Sequence, residues 1–358
     1  MPATTLRRHQ TLEEIGEAAW EELLARAARA SVFQTYAWNA CWWAAKQNRR
    51  RRLVLLSAWE NGELVALAPL FHQASALRRD LCFLGHGNSD YLDFVVAAGR
   101  EDAAATLLAA AGSLEERWHR FHLLDLPAWS VVRQRLEAAG TPGSLLFRRG
   151  DDTACPGLVR LTGEKTFLLA TQHKMLRNNS KILARAGRVE TVHLSGAAAI
   201  QPHLEGFFAT HVRRWSSTPY PSLFLDEENR RFYRCLVEHM PVERLLFTVV
   251  TLDGRPVAYH FGFVYGGILF FYKPTYDVES RRLSPGSTLL VELFKWCEAR
   301  GLEEFDFTRG DEAFKERFAN HVDHNASYVW YRSRSASWQD ALAGRSLRAA
   351  RRLLRRSR

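Results

Sequence analysis

Apolar and polar positions along this chain follow two periods, and the order of those periods recurs. From Thr11 to Ala30 the apolar residues Ile15, Ala19, Leu23 and Ala27 fall on one helical face, with Thr11 and Glu14 spaced as a capping box. A second helix is predicted from Tyr36 to Lys46, where Trp38, Trp42 and Trp43 read as core. Strand-like runs follow at Arg52 to Trp59 and Leu64 to Phe71, joined by the hairpin dipeptide Asn61-Gly62. Leu81 to Leu84 and Leu92 to Val96 are short strands on either side of a glycine-rich polar turn. A helix (Glu101 to Trp118), a strand (Phe121 to Leu126) and a helix (Val131 to Ala139) complete the first half.

The second half runs through a similar series. Thr166 to Ala186 is a basic helix. Pro202 is expected in the first turn of the next helix, which lines up Phe207, His211 and Trp215 four apart. Asp226 caps a helix over Glu227 to His239. Three strands follow, Arg244 to Leu252, Pro256 to Val264 and Ile268 to Lys273, with turns at Asp253-Gly254 and Gly266-Gly267. A helix after Pro285-Gly286, stopped at Gly301, precedes a strand from Glu304 to Thr308 and a closing strand from Ala326 to Ser333. The expected division is 1–150, 151–336 and a basic tail, 337–358.

One turn carries chemistry. Arg281 and Arg282 precede Ser284-Pro285-Gly286-Ser287-Thr288 at a helix start. The first helical turn has unpaired N–H groups and the positive end of the dipole, and a glycine there admits an anion close to the backbone. The two arginines add charge-assisted donors. The pattern suits a diphosphate, although a plain surface turn has the same residues. In the middle strand of the later hairpins, alternation puts His260 on one face with Ala258 and Gly262, small neighbours that leave room for a ligand or a packed helix.

The company of that turn resembles a family. Ser284-Pro285-Gly286, Ala299-Arg300-Gly301, Phe305-Asp306-Phe307 and Arg309-Gly310-Asp311 with Lys315 are similar to the pattern of Gcn5-related acetyltransferases (GNAT) of the CelD/BcsL, BioF2-like branch; Phe314 stands where that branch usually has tyrosine. The resemblance is best over Lys165 to Arg332. It implies a mixed α/β protein of two tandem GNAT-like acyltransferase domains, the first degenerate. It implies acetyl-coenzyme A, or another acyl-coenzyme A, as co-substrate and a small or sugar-linked acceptor, in the setting of surface polysaccharide synthesis. On that resemblance Arg281, Arg282, Gly286, Ser287, Thr288 and Tyr272 would bind the cofactor. His260 is the first choice of base, with Asp311 and Glu312 in reserve, and Lys315 would hold an acceptor carboxylate or a phosphate. Asp90 and Tyr91, in an S-D-Y-L-D element, and Lys174, His211, Arg214 and Trp215 would meet the acceptor; Arg177 and Asn178 complete a K-x-x-R-N helix. A FemAB-like aminoacyl-tRNA-dependent transferase shares the doubled fold and that helix, and a non-catalytic scaffold is the third reading.

Charge and cysteine content narrow these. The net charge of +10 is concentrated in Gln339 to Arg358, where seven arginines face one aspartate; the rest carries about +4, which by itself is not a nucleic-acid footprint. The tail reads either as a disordered solvated end or as an amphipathic basic segment in weak contact with an anionic membrane. No apolar run spans a bilayer and Met1 to Gln10 lacks a signal-peptide core, so the expected location is cytoplasmic. Five scattered cysteines, odd in number and never C-x-x-C, predict buried free thiols and no metal. His321 and His324 lack a clear third ligand.

Overall fold

The computed structural model describes residues 4–76, 78–139, 146–149, 152–216 and 218–337. The basic tail from Trp338 lies outside them. In chain order the elements begin with β1 (Thr5–His9), α1 (Glu17–Arg26), α2 (Tyr36–Lys46), β2 (Arg51–Glu60), β3 (Glu63–Ala74), β4 (Arg79–Phe83), β5 (Val95–Val96), α3 (Glu101–Gly112), β6 (Arg120–Leu126), α4 (Val131–Ala139) and β7 (Leu146–Arg149). They continue with β8 (Thr153–Val159), α5 (Thr166–Thr171), α6 (Lys174–Ala186), β9 (Val189–Leu194), α7 (Ala197–Trp215), α8 (Glu227–His239), β10 (Leu245–Leu252), β11 (Arg255–Tyr265) and β12 (Ile268–Tyr276). Last come α9 (Pro285–Ala299), β13 (Glu304–Asp306), α10 (Ala313–Glu316) and β14 (His321–Tyr331).

Two compact units result. The first holds the described residues of Met1–Arg29, Gln47–Asp152 and Asn325–Arg358; the second holds Ala30–Lys46 and Thr153–His324. The division expected near residue 150 is crossed at two places, because α2 packs with the second unit and the end of β14 with the first.

Each unit repeats one plan. In the first the strand order is β1-β2-β3-β4-β6-β14, with β4 and β6 parallel. In the second it is β8-β13-β12-β11-β10-β9, with β12 and β13 parallel. A helix crosses over each parallel pair, α3 in one and α9 in the other, as parallel neighbours require. The Asn61-Gly62 hairpin forms as predicted, with φ of 51° and 86° at the two residues.

The second unit has a core on each face of its sheet. On one face α9 lays Leu289, Leu290, Leu293, Phe294 and Cys297 against Leu246, Val250, Leu269 and Phe271. On the other, Trp38 of α2 meets Phe232, Phe263 and Tyr272 edge-on, and Tyr233 stacks on Tyr272.

Several local expectations are corrected. The first helix starts at Glu17 after Gly16, whose φ of 78° breaks the chain; Glu14 turns instead to the Gln10 N–H, so Thr11 caps no helix. The basic helix breaks at His173, whose ring accepts from the Met175 N–H and restarts it as α6. Pro202 lies inside α7, not in its first turn. Cys41 and Cys235 form a disulfide, while Cys82, Cys155 and Cys297 are buried free thiols. Among the described residues no helix is long and apolar enough to cross a membrane.

Candidate active site

The site forms where β12 and β13 part. Their register pairs run from Ile268↔Glu304 to Phe270↔Asp306 and stop. The Asp306 carboxylate accepts the Thr308 N–H at 2.6 Å, and Thr308 takes a φ of 57°, which turns the chain out of the strand. β12 runs on to Tyr276, so its last residues lack a parallel partner. Because the two strands are parallel, the C-terminal end of β12, the start of α9 and the turn after β13 lie at one end of the sheet.

The start of α9 is open. Ser284 sits at the N-cap with φ 56° and gives no side-chain cap, and Pro285 occupies the first turn. A Cβ placed on Gly286 would meet only the Tyr276 ring, at an ordinary 3.6 Å. Ser287 Oγ accepts from Asn179 Nδ2 of α6 at 3.0 Å, which ties α6 to this turn. The Thr288 hydroxyl is buried without a partner. Arg281 and Arg282 are exposed just before it. Ser287 gives its own N–H to the Ser284 carbonyl at 3.0 Å and Pro285 has none, which leaves the Gly286 N–H without a partner among the described residues. That donor, the helix dipole, the nearby cations and the absence of a side chain in the way are features a diphosphate site needs. The corresponding start of α3 in the first unit differs. Glu101 and Asp102 fill its first turn, and Glu101 Oε1 already accepts the Gly99 N–H at 3.0 Å, so an anion would meet carboxylates there.

A second cluster reaches the same end of the sheet from α7. Arg214 donates to the Pro274 carbonyl at 2.8 Å, lies 4.4 Å from the centre of the Tyr276 ring and feels the charge of Glu312. Tyr276 therefore stands between Arg214 and Gly286. His211 stacks on Trp215, with ring centres 5.7 Å apart, and shares a 2.8 Å hydrogen bond with Ser222. The Trp215 indole N–H is buried and unpartnered. Burial, then the charges of Lys273 and Arg214, pull His211 down to about 3. The H-x-x-R-W spacing and the Pro-Gly-Ser turn are thus brought together. Lys174, Arg177 and Asn178 lie exposed on α6, the helix tied to the turn.

Three expected roles do not fit. His260 has no exposure, and its ring stacks on Phe271, 5.1 Å between centres. The space left by Gly262 is filled by that ring itself, with which a Cβ on Gly262 would collide. Neither ring nitrogen makes a well-formed hydrogen bond, and burial pulls His260 down to about 3. A neutral, enclosed imidazole is not a base for an incoming acceptor. Tyr272 points into the aromatic core with Trp38 and Tyr233, away from the α9 face. The Lys315 ammonium is buried, and its donors go to the Arg309 carbonyl (2.9 Å), the Thr308 carbonyl (3.4 Å) and Glu312 (2.8 Å). It builds the turn after β13 and has none left for a ligand. Lys315→Met should destabilise the protein by about 1–3 kcal/mol in urea unfolding, since buried carbonyls lose their donor.

Asp90 and Tyr91 belong to the first unit, where both are buried and the Asp90 carbonyl accepts from Asn325 at 2.7 Å. Neighbouring Asp93 is fully enclosed and takes the Val131 and Val132 N–H groups, a cap for α4 that sequence reading missed. Burial pushes it up to about 7.

These groups set an acid response. The unfolded chain binds protons on His211 and His260 between pH 6.5 and about 3, and the folded chain does not. Stability therefore falls as pH drops through that window, by up to about 1.4 kcal/mol per pH unit for each histidine. Asp93 opposes this, because the folded chain keeps its proton up to about pH 7. In chemical unfolding between pH 4 and 7, His211→Gln should flatten the acid loss.

Residues 170–316 match the family profile of an acetyltransferase (GNAT) domain. The fold is GNAT-like. The GNAT match spans α6 to α10 and so covers both the open α9 turn and the α7 cluster. No curated protein matches the chain. Among solved structures, the crystal structure of FemX is 12% identical, covering 91% of this chain and 96% of that one at a TM-score of 0.63. A protein of unknown function from Bacteroides thetaiotaomicron VPI-5482 is 11% identical, covering 91% and 100% at 0.58. A tandem GNAT protein from the clavulanic acid pathway is 13% identical, covering 91% and 98% at 0.51. Identities this low speak for the fold alone. They fit the repeated plan of the two units.

Proposed function

We propose that the protein transfers an acyl group, acetyl in the first instance, from a coenzyme A thioester to an amine or hydroxyl of a small or sugar-linked acceptor. The observation that carries the reading is the uncapped start of α9, with Gly286 open beside the gap between β12 and β13. The Gly286 N–H and the α9 dipole, with Arg281 and Arg282, would hold the diphosphate, and the Ser287 N–H, now on the Ser284 carbonyl, would be shared with it. The thioester supplies an already activated acyl carbon, so the chain's own work is alignment and removal of one proton. The unpartnered side of β12 beyond Phe270 offers N–H groups to the carbonyl oxygen. Arg214 and the Trp215 N–H would orient the acceptor. Asp311, exposed and with no hydrogen bond or ion pair among the described residues, is the group we assign to accept the proton, with Glu312 engaged by Lys315.

The second reading, aminoacyl transfer from a charged tRNA, is supported by the similarity to FemX. A role in surface polysaccharide synthesis, and weak contact of the tail with anionic lipid, belong to the first reading. Calorimetric titration separates the two. Acetyl-coenzyme A should bind with measurable heat; no heat with it, together with binding of an aminoacyl-tRNA, favours the second.

A further inference from the structure

Outside this site, the described residues contain one group of sulfur and imidazole. Cys41 of α2 and Cys235 of α8 are bonded, with Cα atoms 5.5 Å apart, although 194 residues separate them in the chain. That Cα distance is one a disulfide takes without moving the backbone. Cys41 is 1% exposed, whereas Cys235 is half-buried. One turn beyond Cys235, the exposed His239 places Nδ1 at 3.0 Å from the Cys235 carbonyl oxygen and 3.6 Å from its sulfur.

The carbonyl decides the tautomer. A carbonyl oxygen only accepts, so Nδ1 carries the proton and presents an N–H to the sulfur as well. Such a donor stabilises a thiolate at Cys235 once the bond is open. The same proton removes the Nδ1 lone pair that a metal would need. Cys41, Cys235 and His239 lie close enough to be read as a cation site, but this arrangement favours thiol chemistry.

We propose that Cys41–Cys235 is a reversible dithiol–disulfide site, in which Cys235 exchanges with low-molecular-weight thiols and disulfides and Cys41 resolves the adduct. In the reduced chain, the Cys235 thiolate attacks one sulfur of a small disulfide. A Cys235–S–S–R bond forms and one RS⁻ leaves. Cys41 then loses its proton and attacks the Cys235 sulfur, expelling the second RS⁻. The two protein thiols are oxidised, the small disulfide is reduced to two thiols, and the two protein protons end on them. The reverse sequence opens the bond. The remaining cysteines do not compete: all three are buried, and burial pushes the Cys82 and Cys297 thiols up. Closure bolts α2 to α8, and α2 carries the Trp38 ring that packs against Tyr272 on β12.

Full-length protein, reduced and then given oxidised glutathione, tests this by intact mass and peptide mapping. Wild type should return to the Cys41–Cys235 bond without a lasting adduct. Cys41→Ser should keep one glutathionyl group on Cys235, and Cys235→Ser none on Cys41. Adding His239→Gln to Cys41→Ser should slow adduct formation about tenfold at neutral pH and move its pH profile upward. A brief alkylation of reduced wild type, which needs no variant to fold, should label Cys235 before Cys41. Labelling of Cys41 first, or a Cys41→Ser chain that takes no glutathione, overturns the proposal. So does reduced protein that takes up one equivalent of zinc(II) and then resists oxidised glutathione, which would make the group a metal centre.

Discussion

Replacing Gly286 with glutamate should weaken acyl-coenzyme A binding at least about a hundredfold, a loss of about 2.7 kcal/mol or more. The substitution sets a carboxylate where the α9 dipole and the Gly286 N–H would receive a diphosphate, so attraction becomes repulsion. Folding should survive. Gly286 lies in the first turn of a helix, it is not among the positive-φ glycines, and its Cβ position meets only the Tyr276 ring at 3.6 Å. Gly286→Ala is the control: it fills the same ordinary contact without charge and should change affinity far less. Equilibrium binding of both variants, with circular dichroism to check folding, separates loss of the site from loss of the protein. If the glutamate variant binds as the wild type does, the cradle is not at α9.

Trp38→Ala should destabilise the second unit by about 3–5 kcal/mol, the range for deleting a large buried aromatic. Trp38 has no exposure and meets Phe33, Phe232, Phe263 and Tyr272 edge-on. The residue precedes β2 in the chain, yet its core is built by β11, β12 and α8. The loss should therefore show in the second unit: under denaturant, amide protection in β11 and β12 should fall more than in β2 and β3. Equal loss in both would contradict the assignment of Ala30–Lys46 to the second unit.

Much of this was legible where one residue type has one local consequence. Asn61-Gly62 forced a hairpin because both positions need positive φ. Asp226 capped α8, its carboxylate accepting the Glu228 N–H at 2.9 Å. Pro285-Gly286 marked the start of α9, and the spacing of His211, Arg214 and Trp215 placed them at one helix end. The misreadings share a cause, since each depends on what lies across the fold. Alternation correctly put His260 on the face of Ala258 and Gly262, but nothing local says that α9 and Phe271 seal that face. Lys315 looked like a ligand-binding cation until its carbonyl partners were in view. The Cys41–Cys235 bond spans 194 residues and leaves no spacing signal. The docking of α2 with the second unit is equally tertiary, because three tryptophans announce a core without saying whose.

The account rests on where the acyl carrier binds. A crystal structure with coenzyme A measures this directly. The account predicts a diphosphate oxygen within hydrogen-bond distance of the Gly286 N–H at the start of α9, with the pantetheine arm running between β12 and β13. A diphosphate bound elsewhere, or an arm that leaves that gap empty, would contradict it.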